Sequence, residues 1–337
     1  LVKMMIPSVY GLENIKEGII YSLVNAKPDK KDKKERLHIA FVSNPGRGKT
    51  DILLDIPNYT TRAIFETVIT STALSLLVMV ENTGETRIVR IGTVARFMVA
   101  CLDEFNKMPF SGQDMFRGIA QNGYMTSNKF GKNTHVTAPV TLIIALNPPL
   151  RPESAAEQQH DSDSNSNSPK INMSDIDISP ALWDRIDFKF FIPDMTHKES
   201  DELVEKMVEM EDRVVPKYYS FVKKLLTYAK QNCNPILSLE ARSVLIKAGQ
   251  EFLKRVPLHG SSKKTPRLID TLMIATKARA RVLLKKVADE SDAVAIVKFM
   301  SEMMKNYESG TIEAKGVTEI AVDECFRFLG ERVLNNN

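Results

Sequence analysis

Four short apolar runs punctuate the first part of the chain: LHIAFVS (37–43), ARFMVACLDE (95–104), VTLIIALN (140–147) and DFKFFI (187–192). None alternates strictly between apolar and polar residues. That is the mark of strands covered on both faces, as in a parallel sheet. Polar or helical segments follow each run, so an α/β domain with a central parallel sheet is expected over residues 1–195. After Pro193 the period changes. In LVEKMVEM, YSFVKKLLTYA and RLIDTLMIATKARARVLL the apolar residues recur at helical spacing, and a smaller all-α domain is expected over 196–337. Two stretches contribute to neither core. KPDKKDKKER (27–36) reads as a solvated connector, and the Ser/Asn/Asp-rich residues 153–170 as a disordered surface insertion.

Composition narrows the picture. The 337 residues carry a net charge of only +4, so any nucleic-acid contact must come from local clusters. Cys101, Cys233 and Cys325 lie far apart, and there are only five histidines. That argues against a disulfide framework or a zinc module and suits a reducing compartment. No apolar run is long enough to span a membrane and the N-terminus has no signal-peptide pattern, so a cytoplasmic protein without a membrane partner is expected.

The candidate chemistry begins at FVSNPGRGKT, Phe41 to Thr50. A phosphate-binding loop asks for Gly, four free positions, then Gly-Lys-[Ser/Thr], after a strand and before a helix. Here Ser43 stands in place of the first glycine. Ser43, Asn44, Pro45, Gly46, Arg47 and Gly48 would form the turn whose N–H groups cradle phosphates. Lys49 would neutralise the terminal phosphate oxygens, and Thr50 would ligate Mg²⁺. Serine costs about 1 kcal/mol if that position needs a positive φ, and little otherwise.

Three further features lie downstream. Asp103 and Glu104 end an apolar strand, where one acid can hold Mg²⁺ and the next polarise water; the plainer alternative is a helix cap. Asn147 ends another strand, where it could orient water and phosphate, or simply make an Asn-Pro turn. Arg185 precedes the fourth strand, where it could face a neighbouring subunit's nucleotide or pair with Asp184 or Asp187.

This order of parts resembles an AAA+ ATPase, and more narrowly the ATPase core of the minichromosome maintenance (MCM) replicative helicases, with an archaeal flavour. The stretches that carry the resemblance are SVYGLENIKEGIIYSLV, SNPGRGKT, LDEFNKM, ALNPP, SPALWDRIDFKFFIPD and TPRLIDTLMIATKARARVLL. The resemblance implies a P-loop NTPase domain followed by a helical lid, with ATP and Mg²⁺ as cofactors. It implies Lys49 and Thr50 as Walker A, Asp103 and Glu104 as Walker B, and Asn147 as sensor 1. Arg185 takes the place of the arginine finger and Arg267 that of sensor 2. VMVENTGETRIV is similar to the family's helix-2 insert (about 75–91), and YMTSNKFGKNTHVT to its pre-sensor 1 hairpin (about 124–138). Lys129 of that hairpin, with Lys132 as a partner, would face single-stranded DNA in the pore of a hexamer of this chain or of other MCM subunits.

The sequence also departs from the family pattern. Ser43 replaces a glycine, and the stretch before Asp103 is about three residues short. Gln121 stands where an acid is usual, and Asp184 where a serine usually precedes the arginine. The Ser/Asn-rich insertion is long. These departures suit a diverged relative, nucleoid-associated and carried by an archaeon or a mobile element. The N-terminal DNA-binding region and C-terminal winged helix of the family are expected to be absent. Two other readings stay open: a catalytically silent MCM-like subunit, and a MoxR-like protein remodeller.

Overall fold

The computed structural model describes residues 1–7, 9, 11–26, 35–70, 73–83, 86–127, 134–148, 176–192, 216–255 and 267–308. The insertion at 153–170, residues 27–34 of the connector, the boundary expected near 195, the segment LVEKMVEM and everything after 308 lie outside these residues; Arg36, read as the end of that solvated connector, is instead buried. The chain divides into two compact units, Leu1–Thr227 and Tyr228–Asn337.

The first unit is built on five parallel strands: β1 (Ile39–Val42), β2 (Ala63–Thr67), β5 (Val99–Asp103), β8 (Thr141–Leu146) and β9 (Phe188–Phe191). Their order across the sheet is β2-β5-β8-β1-β9. Every residue of β1, β5 and β8 is buried, which accounts for their unbroken apolar runs. Four of the five strands coincide with the runs read from the sequence. The fifth, β2, reads AIFET and is half-buried at the sheet edge, so it carries neither a continuous apolar signal nor clean alternation.

Flanking helices are α1 (Glu13–Asn25), α2 (Lys49–Asp55), α3 (Ala73–Leu77), α4 (Phe110–Asn122) and the short α5 (Pro180–Trp183). α2 packs on β5 and β8, α1 on β1, and α4 against α3 and α5. Two antiparallel pairs stand outside the sheet. β3 (Val78–Thr83) and β4 (Thr86–Ile91) form the first, where the helix-2 insert was expected. β6 (Tyr124–Ser127) and β7 (Thr134–Thr137) form the second, where the pre-sensor 1 hairpin was expected.

At the N-terminal edge of the sheet, polar groups tie α4 to the strands. α4 ends at Gly123, whose φ of 72° lets its N–H return to Ile119 O at 2.8 Å. The buried Arg36 donates from Nη1 to Ile119 O at 3.2 Å and to Val140 O at 3.0 Å. The buried His38 accepts from Leu142 N–H at Nδ1 (3.0 Å), so Nε2 carries the proton shared with Ala120 O at 3.1 Å. His38 N–H also donates to Asp187 Oδ2 at 2.8 Å. These bonds satisfy carbonyls that a helix end otherwise leaves unpaired.

The second unit is mainly helical. α6 (Pro216–Asn232) leads into it, followed by α7 (Leu239–Arg255), α8 (Arg267–Val282) and α9 (Glu290–Glu308), with α7, α8 and α9 packed on one another. A two-residue parallel pair, Ile236–Leu237 with Val287–Ala288, joins the loops between them. In the loop before α9, Lys285 bridges Asp289 at 2.8 Å and the fully buried Asp292 at 2.9 Å.

Candidate nucleotide site

The strand order decides where the polar residues meet. β8 lies between β1 and β5, so the C-terminal ends of three adjacent strands deliver residues 43–50, 103–104 and 147 to one edge of the sheet. In register, Val42 pairs with Leu146 and Leu102 with Ile144. A crevice at such strand ends is where open α/β sheets bind ligands.

The loop after β1 closes on its own lysine. Gly46 and Gly48 have φ of 79° and 70°, conformations that a side chain resists. Ser43 is not among the residues with positive φ, so the substitution imposes no backbone strain. Its hydroxyl takes up a role of its own. Lys49 Nζ donates to Ser43 Oγ at 2.6 Å, to Ser43 O at 2.7 Å and to Asn44 O at 3.0 Å, while Ser43 Oγ donates to Asn44 O at 2.9 Å. Burial pulls the Lys49 ammonium down to about 8. Asp103 and Glu104 work against that shift and Arg47 adds to it. A buried cation held by neutral oxygens is a site that an anion would complete.

Beside it, Thr50 Oγ1 donates to Asp103 Oδ2 at 2.6 Å. The hydroxyl and carboxylate assigned to one cation are therefore already together. Asp103 Oδ1 accepts from Glu104 N–H at 2.8 Å, and Glu104 has a φ of 52°. A non-glycine residue in that region costs about 1 kcal/mol, and such strain gathers at functional sites. Glu104 is no helix cap in the usual sense; it turns the chain from β5 into a 3-10 turn, Phe105–Lys107.

Asn147 follows β8, and its Oδ1 is buried without a hydrogen-bond partner. Its backbone is clasped twice by Asn106, which donates from Nδ2 to Asn147 O at 2.9 Å and accepts Asn147 N–H at Oδ1 at 3.1 Å. Asn106 was not read as a site residue. Its signal was the amide two residues past the acid pair in LDEFNKM, whose partner only the sheet order reveals.

These residues fit a nucleotide with a divalent cation: a desolvated ammonium, a Thr–Asp pair and an orphaned amide oxygen share one sheet edge. Among the described residues no cluster of three or more His, Cys, Asp or Glu could hold a metal ion alone. A cation here would depend on phosphate oxygens, as Mg²⁺ commonly does.

Two candidates lie elsewhere. Arg185 precedes β9, and the pairing of Ile39 with Phe188 places it beyond the N-terminal edge of the sheet, away from the loop. Its Nη1 meets Asp184 Oδ2 at 2.7 Å and its Nε meets Gln121 Oε1 at 3.1 Å. The ion pair with Asp184, the plainer reading from sequence, is thus present, while Asp187 accepts from His38. Arg267 opens α8 in the second unit and is half-buried. Lys129 and Lys132 lie outside the described residues.

A parallel sheet with a glycine-containing loop after an inner strand, and acid and amide side chains at the ends of the next two, defines a P-loop NTPase domain. The family model of the MCM P-loop domain matches residues 1–211, and the chain belongs to that family. Similar relatives include DNA replication licensing factor MCM4 of Drosophila melanogaster, 24% identical, with 96% of this chain and 37% of the relative covered. MCM4 of Oryza sativa is 23% identical over 95% of this chain and 38% of its own length. DNA helicase MCM8 of Gallus gallus is 23% identical over 90% and 41%. The chain therefore spans about two fifths of the length of these relatives. No helix among the described residues is long and apolar enough to cross a membrane.

Proposed function

We propose that this chain is the ATPase core of an MCM-type motor, hydrolysing ATP with Mg²⁺ between subunits of a ring and drawing single-stranded DNA through its pore. The observation that carries the reading is the junction of the buried Lys49 ammonium, the Thr50–Asp103 hydrogen bond and the orphaned Asn147 oxygen at one sheet edge. Bound ATP and Mg²⁺ would supply the phosphoanhydride bond and the charge that neutralises it.

The chain's own residues take the remaining roles. Lys49 offers its ammonium to the phosphates, and Thr50 and Asp103 hold the cation. Glu104 accepts a proton from water, and Asn147 orients that water through its amide. Arg185, at the opposite edge of the sheet from Lys49, is assigned to a neighbouring subunit's nucleotide, and Arg267 is assigned the same trans role. The helical unit acts as the lid. The paired stem β6–β7 would carry Lys129 and Lys132 toward the phosphates of the strand in the pore.

ATP turnover by the full chain, with and without single-stranded DNA and against Lys49→Ala as background, tests the reading. Turnover above that background and raised by DNA is expected. Stimulation by an unfolded protein and not by DNA would instead point to a protein remodeller. Ser43 favours a second reading, nucleotide binding without turnover, because its hydroxyl adds a third neutral partner to the lysine. In that case ADP binds while turnover stays at the Lys49→Ala level.

A further inference from the structure

Gln121 and Asp184 meet on one guanidinium. Asp184 Oδ2 lies 2.7 Å from Arg185 Nη1, and Gln121 Oε1 lies 3.1 Å from Nε. The Arg185 side chain is 19% exposed and that of Asp184 35%, while the contact with Gln121 lies at the surface.

Both jaws stand on fixed backbone. Gln121 sits in the last turn of α4, where the two preceding carbonyls are taken by the buried Arg36 and His38. Arg185 N–H returns to Leu182 O at 2.7 Å, and two residues on, Asp187 accepts the His38 N–H. His38 thereby binds both sides, through Ala120 on one and Asp187 on the other, and fixes the gap that the guanidinium spans.

We infer that Gln121 and Asp184 form a clamp that holds Arg185 on its own subunit until a neighbour's nucleotide draws it away. The inference rests on the trans role proposed above for Arg185. The two jaws do different work. Gln121 is neutral and engages Nε, away from the forked end, so it orients the guanidinium without competing for charge. Asp184 engages one arm of the fork, the same kind of donor that a phosphate takes in a bidentate contact. A carboxylate there is a competitor, and a polyanionic phosphate with its extra charge can displace it. Gln121 is thus a positioning residue and Asp184 a latch. The clamp would keep a lone subunit's arginine from misdirected anion contacts and make engagement depend on a loaded interface.

The test uses the full chain in two assays. In protein labelled with ¹⁵N-arginine, the Arg185 Nε–H signal is assigned by its loss in Arg185→Lys, and its exchange with water is measured without nucleotide. Exchange is expected to quicken by on the order of tenfold in Gln121→Ala and measurably in Asp184→Ser. The exchange of Gln121→Glu combined with Asp184→Ser should return toward the parent, since one carboxylate then holds the guanidinium from α4. In the second assay, Asp184→Ser should raise kcat for ATP on the order of threefold to fivefold with KM unmoved, the scale of a part-exposed ion pair. Gln121→Glu alone should lower kcat, because Arg185 then faces two carboxylates.

Unchanged Nε–H exchange in both single variants would overturn the clamp. So would a fall in kcat in Asp184→Ser, which would make Asp184 a support for the arginine and not its latch. If no variant turns over ATP above Lys49→Ala, the hydrolytic reading fails, and the exchange rates still decide whether the clamp exists.

Discussion

Nucleotide binding to this chain should take up a proton, and Lys49 sets how much and where. Its ammonium falls from an ordinary value of 10.5 to about 8, chiefly through burial. A phosphate beside it would favour the charged form and return the group to the ammonium state. At pH 7 the lysine is already charged and binding should take up only about 0.1 proton, rising to about 0.9 at pH 9. Above pH 8 the affinity for MgADP should therefore fall by about tenfold per pH unit. The window is clean on the ligand side, since a phosphate's second ionisation lies near 6. On the protein side, burial pushes the Cys101 thiol and the Tyr59 hydroxyl upward, out of this range.

Calorimetry at pH 7 and pH 9, each in two buffers of different ionisation enthalpy, reads the proton count directly. Asp103 is the first-ranked charge supporting the ammonium, so Asp103→Asn should move the midpoint of the uptake to lower pH. The unliganded fold carries the same linkage with its own sign. Between about 8 and 10.5 the unfolded chain keeps a proton that the folded loop has shed, so stability rises with pH across that window. Affinity that stays flat from pH 7.5 to 9.5, or no proton uptake at pH 9, would refute the assignment of this buried lysine to phosphate.

Three substitutions probe other parts of the molecule. Asn106→Ala removes both bonds to the Asn147 backbone; it should cost about 2 kcal/mol in denaturant unfolding and slow turnover, while MgADP affinity changes less than threefold. Ser43→Gly deletes one neutral competitor for the ammonium and should tighten MgADP binding by up to about fivefold; weaker binding would mean that the hydroxyl supports the loop. His38→Ala strips partners from Leu142 N–H and Ala120 O and leaves a cavity. A loss of about 3 kcal/mol is expected in thermal unfolding, and a loss below 1 kcal/mol would contradict the packing described.

Much of this architecture was legible in the chain because burial on both faces leaves a plain signal. β1, β5, β8 and β9 are apolar throughout or nearly so, and each lies within a run read from the sequence, although the run at 95–104 begins four residues before β5. Edge strand β2 was not, since half-burial erases both the continuous and the alternating pattern. Strand order was equally silent, because parallel crossovers of similar length join neighbours and non-neighbours alike. Without the order, Asp103 and Asn147 are two strand ends separated by 44 positions in the sequence; with it, they flank one crevice. The same gap hid Asn106, whose bonds run to a backbone 41 residues away.

Departures from a motif behave differently from missing elements, and Ser43 shows why. A glycine in a phosphate loop has two possible causes: a backbone angle that a side chain resists, or the need for close approach by a ligand. At position 43 the first cause is absent, because φ is not positive there, whereas at Gly46 and Gly48 it is present. The loop thus keeps glycine at the two positions where conformation demands it and changes where it does not. The cost of the change falls on the lysine, which gains a hydroxyl partner, and not on the turn. Gln121 and Asp184 follow the same logic on Arg185: neither strains the backbone, and both act through the cation they hold. In this chain Ser43, Gln121 and Asp184 therefore bear on how tightly Lys49 and Arg185 are held.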